Sequence, residues 1–209
     1  MKRRIGIARI GLASLITCIS VYAQAFLINN TPLDLTAANL GSQIVAPMVQ
    51  TFSIYDLGGY LALEGTVTSR VFSNTNTNVM TFTYEITLSD GYGGWGMLED
   101  FQASLVPPYS YIVDSGYDTG GDAYTESIDY STVQIVDYRF DPWAPFMVGM
   151  TATVWLQTPI TAVSSTGTGD LLAVGGNAII NAYVPIAEPV TLGLLGVSLA
   201  LMAGFRRRF

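Results

Sequence analysis

Residues 60–91 read YLALEGTVTSRVFSNTNTNVMTFTYEITLSDG, and the spacing within this stretch decides the fold class. Leu61, Leu63, Val67 and Val71 fall on one side of an extended chain. Glu64, Thr66, Thr68 and Arg70 fall on the other. After a polar interruption at Ser73–Asn78, Met80, Phe82, Tyr84, Ile86 and Leu88 again alternate with Thr81, Thr83, Glu85 and Thr87. Successive side chains of a strand point to opposite faces, so a period of two marks a strand with one face buried and one solvated. Two such runs joined by Asn- and Thr-rich sequence predict a β-hairpin. Arg70 and Glu85 would share its polar face, where an exposed ion pair contributes little.

Working outward, the pattern predicts further strands near Thr51–Leu57, Phe101–Val106, Tyr109–Val113, Ser127–Phe140, Val148–Gln157 and Ala178–Val184. Val45–Gln50 is ambiguous, and Leu33–Leu40 fits one or two helical turns. No repeat of fixed period appears. Some eight short strands punctuated by turns predict an all-β body, an antiparallel two-sheet β-sandwich, over residues 26–183.

Composition narrows the chemistry. The chain has 209 residues, no histidine and one cysteine, Cys18. Residues 26–187 hold fifteen acids and two bases, Arg70 and Arg139, for a net charge of −13. A body this acidic repels nucleic acid and anionic membrane surfaces. Without His, Lys or Cys between those limits, the body excludes Ser–His and Cys–His nucleophile systems, Schiff-base lysines, zinc sites and disulfides. No cofactor is expected.

The remaining bases crowd the two ends. Lys2, Arg3, Arg4 and Arg9 precede an apolar run from Ile10 to Val21, followed by Ala23-Gln24-Ala25. This order of basic, apolar and small-x-small segments predicts a secretory signal peptide over residues 1–25, cut by signal peptidase after Ala25. The alternatives are an uncleaved anchor and, on Leu15–Cys18, acylation of Cys18. At the other end, Val190–Phe205 is apolar apart from Thr191 and Ser198, and Arg206, Arg207 and Arg208 follow. A helix of that length spans about 24 Å against a hydrocarbon core of about 30 Å. Snorkelling arginines and local thinning cover the difference, and the positive-inside rule leaves the arginines in the cytoplasm.

The segment VPIAEPVTLGLLGVSLALMAGFRRRF, Val184–Phe209, resembles the PEP-CTERM sorting signal of Gram-negative bacteria: a Pro-Glu-Pro motif, one short transmembrane helix and a basic tail. The matching motif is Ala187-Glu188-Pro189, with Ala187 where the family has its first proline. The resemblance implies recognition by an exosortase, an integral-membrane protease-like enzyme. It also implies a transient hold in the inner membrane, and release to the cell surface or extracellular matrix in association with exopolysaccharide and biofilm. The pieces GTVTSRVF, MTFTYEITLSDG and WLQT are similar to β-rich extracellular domains that precede this signal and have no established activity.

Three kinds of chemistry have candidate residues. Asp114, Asp118 and Asp122 in DSGYDTGGDAYTESID offer oxygen ligands for Ca²⁺ in a Gly-rich loop, although the EF-hand order fails at Gly120. Tyr92 and Trp95 in DGYGGWG offer faces for stacking on sugars, and Tyr109, Tyr111, Tyr117 and Tyr124 follow in turn-rich sequence. Glu99, Asp100, Glu126 and Asp129 supply carboxylates of the kind glycoside hydrolysis needs, but the Glu-x-Asp-x-x-Glu strand pattern is missing. The favoured expectation is a non-catalytic exported surface or matrix component. A carbohydrate-binding module, with or without Ca²⁺, is the alternative, and a glycoside hydrolase ranks last.

Overall fold

The computed structural model describes residues 26–27, 30–91, 96–104, 112–131 and 135–186. They form a nearly all-β body of two seven-stranded sheets. In chain order the elements are β1 (Phe26–Leu27), β2 (Thr31–Leu33), a single helical turn α1 (Ala37–Leu40), β3 (Ser42–Gln43), β4 (Met48–Tyr55), β5 (Leu61–Asn74) and β6 (Val79–Gly91). There follow β7 (Met97–Ser104), β8 (Asp114–Asp118), β9 (Thr125–Ser131), β10 (Ile135–Phe140), β11 (Phe146–Met147), β12 (Thr151–Thr158), β13 (Val163–Ala173) and β14 (Gly176–Pro185). One sheet, here the hairpin sheet, runs β2-β8-β12-β6-β5, with β3 and β4 sharing the outer edge of β5. The facing sheet runs β1-β9-β10-β7-β13-β14, with β11 also paired to β7.

The hairpin forms as its periodicity predicts. β5 and β6 pair antiparallel with Val67 opposite Ile86 and Arg70 opposite Thr83. Leu63, Val67, Val71, Met80, Phe82, Tyr84, Ile86 and Leu88 are all buried. Asn78 takes φ 55° in the connecting turn, a left-handed conformation that Asn tolerates better than most residues. Arg70 Nη1 lies 3.0 Å from Glu85 Oε2 on the outer face. That face is less exposed than alternation alone predicts, because Thr81, Thr83 and Trp155 are also buried. The Trp155 indole lies against Gly116, where a Cβ would come within 2.8 Å of the ring.

The inner faces of the two sheets share one core. Tyr84 of the hairpin sheet meets Phe101 of the facing sheet with ring centroids 5.1 Å apart. Two buried phenols clamp the layers in opposite directions. Tyr84 donates to the Tyr183 carbonyl at 2.8 Å, and Tyr138 donates to the Trp155 carbonyl at 3.1 Å. Burial pushes both phenols above their ordinary pKa, so they stay neutral donors. At the edge, the Tyr183 N–H donates to Ser69 Oγ at 3.0 Å, joining β14 to β5 across the layers.

Several expectations need correction. The pairing is not wholly antiparallel: β2 lies parallel to β8, with Thr31 opposite Gly116 and Leu33 opposite Asp118. The two are separated in sequence by most of the hairpin sheet, so no tight turn imposes an antiparallel direction. The expected strand Ser127–Phe140 is two strands, β9 and β10, folded against each other with Asp137 opposite Asp129. Ile112 and Val113, at the end of the expected strand Tyr109–Val113, precede β8 rather than belong to a strand, and residues 109–111 lie outside the described residues. The acidic segment from Asp114 is not one loop, since it contains β8 and the start of β9. β12 begins at Thr151, not Val148, because Gly149 turns the chain at φ 89° and the Met150 N–H returns to the Met147 carbonyl at 3.1 Å. β14 runs Gly176–Pro185, longer at both ends than the expected Ala178–Val184, and Val184 is buried. Among the described residues no helix is long and apolar enough to cross a membrane. The expected signal peptide and C-terminal helix lie outside the described residues.

Candidate functional site

The outer face of the facing sheet gathers charge. Val136, Tyr138 and Phe140 of β10 point into the core, so Asp137 and Arg139 point out. Register places Asp129 of β9 and Gln102 of β7 on either side of Asp137, and Asp100 of β7 opposite Arg139. Arg139 Nε donates to Asp137 Oδ2 at 3.3 Å, and Nη2 lies 3.5 Å from Asp129 Oδ2. One guanidinium thus serves two carboxylates and faces a third. Asp137 is only 4% exposed, and its Oδ1 is buried without a hydrogen bond of ordinary geometry. Gln102 is near enough to lower the pKa of this carboxyl, but burial outweighs Gln102 and Arg139 together and the net shift is upward. Burial, then the charge of Asp137, pushes the Asp100 carboxyl up to about 6, against the opposing pull of Arg139. Burial also works against the charge on Arg139, but the surrounding carboxylates outweigh it and raise the guanidinium.

Beside this cluster lies a cavity of about 270 Å³ walled by Glu99, Asp100, Glu126, Arg139, Asp141 and Pro142. Three of the four carboxylates named from the sequence therefore line one space. The fourth, Asp129, pairs with Arg139 next to it. The turn after β10 forms one side of the cavity. Asp141 Oδ1 accepts from the Trp143 N–H at 2.7 Å, an Asx turn that fixes the tip of DPWAP. Trp143 stands 91% exposed on that tip. Sequence reasoning passed over it, although an aromatic between two prolines in a turn sequence is a readable signal.

The cavity belongs to one end of the body. Registers place the β4–β5, β8–β9, β10–β11 and β13–β14 connections at this end, and β1 starts and β14 stops toward the other. A second cavity of about 430 Å³, lined by Leu57, Ala62, Met97 and Val174 among others, shares Met97 with the first. Leu57 is 98% exposed, and Tyr55, Tyr60, Tyr124 and Val174 are exposed nearby along the same end. Tyr117 and Tyr124 have ring centroids 5.9 Å apart, and the Tyr124 hydroxyl is held by Asp141, which raises its pKa.

The Ca²⁺ candidates have separate partners. Asp114 Oδ1 accepts from the Thr31 hydroxyl at 3.0 Å and the Ser115 N–H at 2.9 Å. Asp118 Oδ1 accepts from the N–H groups of Leu35 and Gly120 at 3.3 and 3.2 Å. Asp122 Oδ2 accepts from the Thr151 N–H at 2.9 Å. Asp114 and Asp118 thus dock the N-terminal segment onto β8, and Asp122 ties the β8–β9 connection to β12. Among the described residues no group of three or more acids, histidines or cysteines is placed to hold a metal ion. Tyr92, Trp95, Tyr109, Tyr111, Ala23, Ala25, Ala187, Glu188, Pro189, Arg206, Arg207 and Arg208 lie outside the described residues.

No protein-family model matches the chain, and no curated protein or solved structure shows significant similarity to it.

Proposed function

We propose that the chain is an exported structural component of the cell surface or extracellular matrix, without catalysis, whose C-terminal segment is a sorting signal. The observation that carries this reading is the order of segments at the two ends. A basic-apolar-small leader precedes the body, and Glu188-Pro189, an apolar run and Arg206–Arg208 follow it. The fold is compatible with tethering by one end, since β14 leads into that segment at the end opposite the exposed Leu57 and Trp143. In this reading signal peptidase frees the N-terminus, and the inner membrane holds the apolar segment until an exosortase-like enzyme acts beside Glu188-Pro189. Mass spectrometry of the protein from its native host tests this. The expected mature chain starts at Phe26 and lacks the arginine tail. Replacing the three arginines and the apolar run with polar residues should change the product's size and location. An unchanged product would overturn the proposal.

A second reading, a carbohydrate-binding module, is favoured by one specific observation: Trp143 is exposed on the turn whose Pro142 and Pro145 line the carboxylate-rich cavity.

A further inference from the structure

We infer that the end of the body carrying the β4–β5 and β13–β14 turns pairs with the same end of a second copy of this chain. The inference goes beyond the surface-component reading and does not depend on where the chain is sorted. It starts from Leu57, which sits on the β4–β5 turn and is 98% exposed, so its side chain touches almost nothing of its own body. The turn that carries it is nonetheless fixed. Asp56 Oδ1 accepts from the N–H groups of Gly58 and Tyr60 at 2.8 and 2.9 Å. The Asp56 N–H donates to the Tyr60 carbonyl at 2.9 Å, and Gly59 takes φ 79°. A leucine held out on a braced turn is preorganised for contact, so little ordering entropy opposes its burial.

The space to receive it lies beside it. The cavity of about 430 Å³ sits between this turn and the β13–β14 turn, within the roughly 300–1,000 Å³ of binding pockets. Leu57, Ala62, Met97, Ala173 and Val174 line it, and Asp56 is the one charged residue among its described lining residues. Too few polar groups converge there to orient a small polar ligand. Knob and hole share one patch, so the patch is self-complementary about a two-fold axis, with each Leu57 entering the cavity of the other copy. Charge selects the same contact. A net charge of −13 over residues 26–187 opposes chance contact between copies and with anionic membrane surfaces. Around this cavity, by contrast, Tyr55, Leu57, Tyr60 and Val174 are uncharged and each more than half exposed. These four side chains offer on the order of 600 Å² per copy, the low end of specific interfaces, which suits a weak and reversible dimer.

Sedimentation velocity of the protein purified from its host, over a wide range of concentration, tests this. The expected result is a monomer–dimer equilibrium. It should tighten several-fold as salt rises from about 0.05 to about 0.5 M, because screening relieves the repulsion between like-charged bodies. Leu57→Ser and Val174→Asp should each weaken the dimer about tenfold or more. Ile179→Ser, at an exposed apolar residue outside the cavity lining, should leave it unchanged. All three side chains are at the surface, and circular dichroism checks that each variant folds. A protein that stays monomeric at every concentration would overturn the inference, as would a dimer that Leu57→Ser leaves intact. Equal weakening by Ile179→Ser would reduce the contact to general stickiness and overturn it too. Because the readout is association and not location, a failure of the sorting proposal would leave this result unaffected.

Discussion

Each sheet carries one arginine on its outer face, and the two behave differently. On the hairpin sheet, Arg70 meets the single carboxylate Glu85 at 3.0 Å, and both side chains are partly solvated. On the facing sheet, Arg139 is shared between Asp137 and Asp129 while Asp100 stands opposite, and Asp137 is buried. The first is a balanced surface pair, whose net contribution is small because water already solvates both charges. The second has more acid than base in a partly dry place, so its energy depends on protonation. Similar side chains at similar strand positions therefore give a passive contact in one sheet and a pH-dependent one in the other. Charge ratio and burial make the difference.

The largest expected effect comes from breaking the second contact. Arg139→Met leaves the buried Asp137 without its cation, and at pH 7.5 should destabilise the body by about 2–3 kcal/mol, below the full cost of a wholly buried pair because Arg139 is half exposed. Urea denaturation followed by tryptophan fluorescence measures it. The loss should shrink as pH falls, because burial raises the pKa of this carboxyl and a neutral Asp137 no longer needs the cation. An equal loss at lower pH would show that Arg139 acts by packing alone.

A smaller effect comes from pH itself. The Asp100 carboxyl is raised to about 6 by burial and neighbouring acids, so the folded state binds a proton that the unfolded chain, titrating near the ordinary carboxylate value, does not. Stability from this group therefore rises as pH falls through about 6 and levels off below the unfolded value. The melting temperature should rise by about 2–4 °C, the change expected for roughly 1 kcal/mol, between pH 8 and pH 5. Asp100→Asn should flatten that slope. A body that loses stability steadily over the same range, with Asp100→Asn no different, would contradict the account.

The smallest effect belongs to the balanced pair. Arg70→Met should cost less than about 1 kcal/mol and lose even that in high salt. A cost matching that of Arg139→Met would erase the contrast between the two faces.

How far the sequence reveals these features depends on whether the signal is local. The hairpin is legible because both strands keep large apolar residues on the inner side and polar ones outside. β13 shows no such pattern. Its inward positions include Gly167 and Gly169, where a Cβ would run into Val184 and Phe101 of the neighbouring strands. Partners fill the space that β13's own side chains would otherwise occupy, so the alternation of apolar residues disappears. The candidate site is legible as a set of residue types and not as a place. Glu99 and Asp100 come from β7 and Glu126 from β9, and β10 must lie between those strands to form the wall. Strand order is a long-range property that no local period encodes. The Ca²⁺ candidates illustrate the converse: acids close together in sequence each bond their own separate partners, Thr31 and Ser115 for Asp114, Leu35 and Gly120 for Asp118, and Thr151 for Asp122.

The parallel β2–β8 ladder also bears on how the body comes into being. Asn30 reaches Thr125 across 95 positions, and Thr31 reaches Asp114 across 83. The segment that carries β2 therefore has no native strand partner until about half of the chain after it has been made. Self-assembly of this architecture cannot begin at its own beginning. The body's leading segment can be stitched in only after the middle of the chain has been made.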